Sequence, residues 1–286
     1  MPGRERSRVT LEGGTRLLGT RKCGTPGRPL VSVITVVYNN RKHLEETIRS
    51  VLSQSYDPVE YIIVDGGSTD GTLDIIREYG DRIDFWRSEP DEGISDAMNK
   101  GVRLATGDLI AHLHSDDYYK DDGTLSAVAG ELLRHPGALW LTGGIDIVDP
   151  GGRVLQTVTG RKYSYRKLVR GNFILHPATF VTREGFGKAG LFDPAYRYSM
   201  DYDLWLRLGT LGDPVTIDRR IACFRAHPAS LSVSKSDRAY QETWEIRKKY
   251  LKGGRKELLG QYLQYSLKRI WARAYYRGLL LRAGDR

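Results

Sequence analysis

Short apolar runs alternate with segments of helical periodicity over the first half of the chain. Residues 31–37 form a continuous run that is β-branched except at one serine, which is typical of a strand buried on both faces. Residues 41–53 then place leucine, isoleucine and valine at helical spacing. The alternation continues with strands over 61–64, 83–86 and 109–113 and helices over 70–79 and 94–105. This order predicts an α/β fold with a mainly parallel central sheet and helices on both faces.

The alternation weakens after residue 117. Two apolar runs, 139–148 and 154–158, flank the sequence DPGG at 149–152, which predicts a hairpin turn. The other predicted elements are helices over 125–133 and 201–211, short strands over 215–217 and 221–224, and helices from about 236 to the end.

These patterns divide the chain into three parts. Residues 1–29 are rich in Gly and Arg and lack periodicity, which predicts a disordered basic tail. Residues 30–234 hold the strand and helix patterns and form the predicted ligand-binding domain. Residues 235–286 are predicted to form basic amphipathic helices.

Polar side chains follow three of the predicted strands. Tyr38 and Asn39 end the first strand, a segment from Asp65 to Ser68 ends the second, and a segment from Ser115 to Asp117 ends the fourth. In parallel sheets ligands bind beyond the carboxyl ends of the strands, so these groups are expected at one edge. The alternative for the 65–70 segment is a loop with a helix N-cap.

Asp116 and Asp117 are adjacent carboxylates that repel each other unless a cation lies between them. Mg²⁺ or Mn²⁺ relieves this repulsion and also binds phosphate oxygens, and it would neutralise charge on a departing nucleoside diphosphate. A solvated acidic turn is the alternative. The position of the pair after the last strand of the parallel run favours a metal-binding role for the pair.

Charge is distributed unevenly along the 286 residues. Seven Lys/Arg against two Asp/Glu give residues 1–30 a net charge of +5, and fourteen against five give residues 235–286 a net charge of +9. Residues 31–234 carry 23 basic and 28 acidic side chains, a net charge of −5. Because the candidate chemistry lies in this acidic part, nucleic acid is not a predicted partner. The basic ends favour an anionic membrane surface, although solvated charge explains the N-terminal tail equally well.

Other compositional signals concern the compartment. Cys23 and Cys223 provide neither a disulfide framework nor a metal cluster, which fits a reducing compartment. No apolar run reaches bilayer-spanning length, and no apolar segment follows the N-terminal charges. We therefore expect a cytoplasmic protein, peripheral at the inner face of the membrane if its basic ends bind lipid.

Several ordered motifs resemble glycosyltransferase family two, the inverting family with the glycosyltransferase A fold. The matching stretches are 31–39 (VSVITVVYN), 61–72 (YIIVDGGSTDGT), 91–108 (DEGISDAMNKGVRLATGD), 114–117 (HSDD), 176–180 (HPATF) and 199–208 (SMDYDLWLRL). Together they cover roughly residues 30 to 230. The resemblance implies that residues 30–234 bind a nucleotide-sugar donor and transfer its sugar to an acceptor hydroxyl, with Mn²⁺ or Mg²⁺ as cofactor.

The resemblance also implies roles for single residues. Asp117 corresponds to the family's metal ligand, and Asp116 to the carboxylate that faces the ribose. Asp201 lies where the family has its catalytic base, although Met200 replaces the glutamate that usually precedes it. The remaining donor-binding residues implied are Thr35, Tyr38, Asn39, Asp65, Ser68, Asp96, Asn99 and Ser115.

Three residues keep alternative interpretations. Asp201 opens a predicted helix, where aspartate is commonly a cap. Asp203 competes with it, and two residues spaced by two do not share a helical face. His176 is an acceptor-side candidate, while a lone histidine is more often a structural hydrogen-bonding group.

We therefore predict an inverting, metal-dependent glycosyltransferase that acts in cell-surface polysaccharide or glycolipid assembly on a glycan or lipid-linked acceptor. A non-catalytic nucleotide- or glycan-binding module on the same fold is the alternative. A nucleotidyltransferase would need a glycine- and lysine-rich loop after the first strand, where this chain has YNNRK at 38–42.

The C-terminal segment carries an apolar stripe and an adjoining basic row, both with a spacing of four residues. The stripe comprises Leu259, Leu263, Leu267, Trp271, Tyr275 and Leu279, and the row comprises Arg269, Arg273 and Arg277. Such a helix is predicted to lie on an anionic bilayer. Packing on the catalytic domain or on a second subunit is the alternative, so an oligomer stays open.

Overall fold

The computed structural model describes residues 10–160, 162–227, 236–251, 259–263, 265–266 and 278. The chain forms two compact units, Met1–Ala129 and Gly130–Arg286. Both contain strands and helices, and the predicted division at residues 30 and 234 stays a prediction.

Among the described residues, the first unit contains six strands, three α-helices and a 3₁₀ turn at Thr15–Leu18, and a fourth α-helix continues into the second unit. The strands are β1 (Leu11–Gly13), β2 (Val31–Val37), β3 (Val59–Asp65), β4 (Phe85–Ser88), β5 (Leu109–His112) and β6 (Tyr118–Tyr119). The helices are α1 (Arg41–Leu52), α2 (Thr72–Glu78), α3 (Ile94–Leu104) and α4 (Thr124–Arg134).

Five strands of this unit lie in the order β1-β4-β3-β2-β5. β2 is parallel to both β3 and β5, and β3 is parallel to β4. Every residue of β2 is buried, as its continuous apolar pattern predicts. The chain proceeds from β2 outward to β4 and then returns to the other side of β2. The carboxyl ends of β2 and β5 therefore form a topological switch point, the usual place for a ligand in such sheets.

Helix α3 packs tightly against β2 because of one glycine. A Cβ atom added at Gly101 would lie 2.4 Å from Cγ2 of Ile34. A larger residue at this position would push the helix away from the strand. The glycine therefore holds the segment that leads from β4 to the switch point close to the sheet.

The prediction of disorder over residues 1–29 is wrong for residues 10–29. β1 pairs antiparallel with β4, with Leu11 opposite Ser88. Arg16 forms an ion pair with the buried Glu60, and Lys22 pairs with the buried Asp84 at 2.9 Å. Buried carboxylates require such partners, and the basic residues that suggested a tail supply them.

The part of the second unit that the structure describes has four strands and several helices. The strands are β7 (Trp140–Val148), β8 (Val154–Val158), β9 (Thr179–Thr182) and β10 (Val215–Arg225). The helices are α5 (Tyr165–Val169), α6 (Arg183–Ala189), α7 (Met200–Leu211) and α8 (Ser236–Tyr250), with a 3₁₀ turn at His176–Ala178. Sequence patterns did not predict β9, α5 or α6.

β7 pairs with every other strand of this unit. β10 runs parallel to it, whereas β8 and β9 run antiparallel along its two halves. The predicted hairpin at 149–152 is confirmed. The prediction of two strands over 215–217 and 221–224 is wrong, since one strand with shifts in register spans Val215–Arg225. Pairing with β7 is interrupted after Thr216 and resumes at Arg220, opposite Gly144, because the strand bulges at the polar residues between them.

The predicted C-terminal helices begin with α8, and residues 259–263 and 265–266 are also helical. The rest of the predicted apolar stripe and the arginine row lie outside the described residues. Within the part of the chain that the structure describes, no helix combines the length and the apolar character that crossing a membrane requires.

Candidate functional site

Asp65 closes the loop that follows β3. Its residue is 0% exposed, and its carboxylate accepts hydrogen bonds from the backbone N–H and the hydroxyl of Ser68. The hydroxyl of Ser88 at the end of β4 donates to the same carboxylate at 2.6 Å. Asp65 therefore fixes the loop over residues 66–70 on the end of the sheet. The N-cap of the alternative interpretation is not formed by a side chain, because Gly71 occupies the N-cap position of α2.

Asn39 joins this loop to the end of β2. Its backbone N–H donates to the Ser68 hydroxyl at 2.7 Å, and its side-chain oxygen accepts from the Thr69 N–H at 2.8 Å. The residue has a φ of 49°, in the left-handed region that asparagine tolerates better than most residues. The sequence therefore uses asparagine here to turn the chain and to hold the loop.

Asn40 connects the same region to the end of β5. Its side-chain N–H donates to the Ser115 hydroxyl at 2.9 Å, and its backbone N–H donates to the hydroxyl of Thr72 at 3.1 Å. Sequence reasoning did not single out Asn40, because an amide after a strand has no signature of its own. The contact brings Ser115, next to the paired carboxylates, to the predicted edge at the switch point.

A second missed residue, Asp91, approaches the glycine that follows Asp65. A Cβ atom added at Gly66 would lie 2.5 Å from a carboxylate oxygen of Asp91 and 3.3 Å from the Tyr38 ring. Asp91 itself accepts a hydrogen bond from the Gly93 N–H at 2.9 Å. Tyr38 is 65% exposed. The edge thus combines an exposed aromatic ring, a bare glycine backbone and a carboxylate, a set that suits a flat polar ligand.

The other predicted donor residues have different surroundings. Thr35 is fully buried, and its hydroxyl lies 3.0 Å from the hydroxyl of Tyr61. Asp96 accepts from the Glu92 N–H and pairs with Lys100 at 3.1 Å. Burial acts to raise the pKa of Asp96, but the Glu92 N–H and the Lys100 ammonium outweigh it, and the pKa is lowered. Asn99 is buried on α3.

Asp116 and Asp117 follow β5 and differ in exposure. Asp117 is only 1% exposed, whereas Asp116 is intermediate. The backbone of Asp117 is held at both ends, since its N–H donates to the carbonyl of His114 at 3.0 Å and its carbonyl accepts from Thr47 at 2.7 Å. The turn that carries the two adjacent carboxylates is therefore fixed through the backbone of Asp117.

The donor set fits a hard divalent cation that is shared with a substrate. Among the described residues, no group of three or more His, Cys, Asp or Glu side chains is arranged to hold a metal ion. Mg²⁺ sites that serve phosphate substrates commonly use only one or two carboxylates, and water and phosphate oxygens complete the shell. The adjacent carboxylates of Asp116 and Asp117 supply ligands of this kind.

In the second unit, the structure brings Asp201 and His176 together. Nδ1 of His176 lies 3.7 Å from a carboxylate oxygen of Asp201, and both side chains are partly exposed. The His176 ring packs 5.8 Å from Trp205, which is buried and stacks on Trp140. Asp201 lies in the first turn of α7, where its other oxygen accepts from the Tyr202 N–H at 2.7 Å.

Asp203 has a structural environment. Only 3% exposed, it forms an ion pair with Arg207 at 2.9 Å and lies 3.9 Å from the Lys249 ammonium. Arg207 also donates to the backbone carbonyls of Ala189 and Leu191. This network ties α7 to the end of α6, so the carboxylate of Asp203 is engaged within the protein.

Comparison with known proteins finds one family model and several similar proteins. Residues 32–185 match the profile described as glycosyl transferase family 2. A protein of Mycobacterium tuberculosis, named an uncharacterized glycosyltransferase, is 35% identical over 201 residues, which cover 68% of this chain and 74% of the relative. A Bacillus subtilis protein named for teichuronic acid biosynthesis, TuaG, is 31% identical over 228 residues, which cover 78% of this chain and 88% of the relative.

A solved structure supports the fold. The mannosyltransferase PcManGT from Pyrobaculum calidifontis, in complex with GDP-Man and Mn²⁺, has a TM-score of 0.62 with this chain. The match covers 92% of this chain and 78% of the other, with 21% sequence identity. The predicted mixed α/β fold with a mainly parallel central sheet is therefore confirmed.

Proposed function

The chain belongs to glycosyl transferase family 2 and is a glycosyltransferase, and from that premise we propose that it inverts the anomeric carbon of a nucleoside-diphosphate sugar. The observation that carries the proposal is the arrangement at the switch point of the first unit. There Asn39 holds the 66–70 loop and Asn40 holds Ser115, so that polar groups from three strand ends share one edge.

The donor nucleotide is proposed to occupy this edge. The exposed ring of Tyr38 offers a stacking surface for the base, and Gly66 lets the ligand approach the backbone. Asp65, which shapes the loop, and Asp91, which lies beside Gly66, are proposed as the carboxylates nearest the base. Asp116 is proposed to face the ribose.

Asp117 is proposed to hold a Mn²⁺ or Mg²⁺ ion together with the donor phosphates. Such a cation stabilises the charge of the leaving diphosphate. The presence of Mn²⁺ and GDP-Man in the complex of PcManGT, which has a similar fold, supports the proposal of a metal of this kind here.

Asp201 is proposed as the base. Its carboxylate takes the proton of the acceptor hydroxyl while that oxygen forms a bond to the anomeric carbon. The bond from this carbon to the phosphate oxygen breaks at the same time, and the diphosphate leaves with the electron pair. Two observations favour Asp201 over Asp203. Asp201 is partly exposed beside His176, whereas Asp203 is buried in its pair with Arg207.

The acceptor is proposed to be a glycan or a lipid-linked glycan of the cell surface. The relation to TuaG, named for teichuronic acid biosynthesis, supports this class. We also propose that the C-terminal segment docks on an anionic membrane. Leu259 and Leu263, one helical turn apart, are 59% and 56% exposed, and residues 235–286 carry a net charge of +9.

A screen of nucleotide sugars tests the proposal. Purified protein is incubated with UDP- and GDP-linked sugars with Mn²⁺, with Mg²⁺ and with chelator, and release of the nucleoside diphosphate is measured. We expect metal-dependent release from one donor. If nucleotide sugars bind tightly but are not turned over under any metal condition, the protein is instead a binding module.

A further inference from the structure

The carboxylate of Glu242 on α8 accepts hydrogen bonds from three backbone N–H groups that precede α7. The N–H of Arg197 donates to one oxygen at 3.0 Å, and those of Tyr198 and Ser199 donate to the other at 2.7 and 3.0 Å. Three charge-assisted hydrogen bonds to one carboxylate fix the direction of this backbone strongly. Glu242 lies more than forty residues after these N–H groups in the sequence.

Ser199 does not cap α7 with its own side chain. It occupies the N-cap position, but its hydroxyl donates to the Ala239 carbonyl at 3.0 Å and lies 2.9 Å from the Thr243 hydroxyl. Both partners belong to α8. Glu242 therefore adds, from another helix, a negative charge near the start of α7, whose first turn also contains Asp201 and Asp203.

Lys249 of α8 also contacts the start of α7 and the segment before it. The Lys249 ammonium lies 4.8 Å from the centre of the Tyr196 ring and 3.9 Å from the Asp203 carboxylate. Helix α8 thus grips the segment from residue 196 to the first turn of α7 at several points. Asp201 lies two residues beyond the last N–H that Glu242 binds.

We propose that Glu242 is a positioning residue for Asp201. Its three hydrogen bonds fix the backbone from which α7 starts, and so they set the direction in which the Asp201 carboxylate points. This inference rests on the proposed function, in which Asp201 is the base. Catalysis is sensitive to small displacements, because a shift of about 1 Å costs roughly 100-fold in rate.

The test compares Glu242→Gln with the control Glu245→Gln. Glu245 lies one turn later on α8, is exposed and pairs only with Lys248 among the contacts described. Glu242→Gln keeps the size of the side chain but removes its charge. We expect kcat for sugar transfer to fall roughly 10- to 100-fold, with the Kd for the nucleotide unchanged and Glu245→Gln behaving as wild type. Equal kcat for the two folded variants overturns the inference.

A double-mutant cycle separates positioning from a general structural role. If Glu242 acts through Asp201, adding Glu242→Gln to Asp201→Asn causes no further loss of kcat. A further loss as large as that in the wild-type background overturns the inference. Glu242→Asp keeps the charge but shortens the reach, and it replaces the glutamine variant if that variant does not fold. Full kcat in this shorter variant also overturns the inference.

The same measurements keep the two proposals distinguishable. If wild-type protein transfers no sugar, or if Asp201→Asn retains full activity, the proposed function fails before Glu242 is considered. If wild type is active, Asp201→Asn is impaired and Glu242→Gln remains as active as Glu245→Gln, only the positioning role fails.

Discussion

The two carboxylates in the first turn of α7 should separate activity from stability. Asp203→Asn removes the charge that faces Arg207 at 2.9 Å, in a residue that is only 3% exposed. Breaking a fully buried ion pair costs about 3–5 kcal/mol. Arg207 keeps its carbonyl partners and part of its solvent contact, so we expect the lower value of about 2 kcal/mol. For a protein of this size that loss lowers Tm by about 4–8 °C.

Asp201→Asn should have the opposite profile. The asparagine oxygen can still accept from the Tyr202 N–H, and only the favourable charge at the helix N-terminus is lost, at about 0.3–1 kcal/mol. Removing a positioned base slows turnover by about 10²–10⁴-fold. Thermal unfolding and metal-dependent transfer are measured on both variants. The reasoning is refuted if Asp203→Asn loses more kcat than Asp201→Asn while its Tm is unchanged.

Three further predictions concern the metal, the donor edge and the membrane. Asp117→Asn should abolish Mn²⁺-dependent turnover and weaken Mn²⁺ binding in calorimetry with nucleoside diphosphate present, and full turnover in chelator would contradict it. Gly66→Ala should weaken nucleotide binding by about ten-fold, or 1.4 kcal/mol, because the added Cβ displaces the carboxylate of Asp91. The control is Gly171→Ala, whose added Cβ has no atom within 4 Å, and this variant should bind as wild type. Replacing Leu259 and Leu263 by serine should reduce sedimentation with anionic vesicles, and unchanged sedimentation would assign vesicle binding to other residues.

The central strands could be predicted because each carries its own pattern. The run over 31–37 is buried on both faces, and its β-branched residues predict this burial without information from the rest of the chain. Parallel pairing then forces the polar groups after β2, β3 and β5 to a common edge. For this reason Asn39, Asp65 and Ser115 could be grouped from sequence.

The missed features depend on partners that are distant in sequence. Glu242 binds the backbone N–H groups that precede α7, and nothing in the sequence near Glu242 or near residues 197–199 indicates that they meet. Asn40 donates a hydrogen bond to Ser115 across 75 positions, and a single amide after a strand does not indicate so distant a partner. Strand β1 has three residues, too few for a periodic pattern, and forms only because β4 offers it hydrogen bonds.

The pairing of residues 11–13 with β4 has a practical consequence for shortened forms of the protein. A chain cut at residue 32, where the family match begins, would expose the hydrogen-bonding groups of β4 to other molecules. Uncovered strands of this kind template aggregation, whereas a three-residue cover offers little for a neighbour to extend. The same cut would remove Arg16 and Lys22, the ion-pair partners of Glu60 and Asp84. We therefore expect chains shortened in this way to self-associate more readily than the full chain.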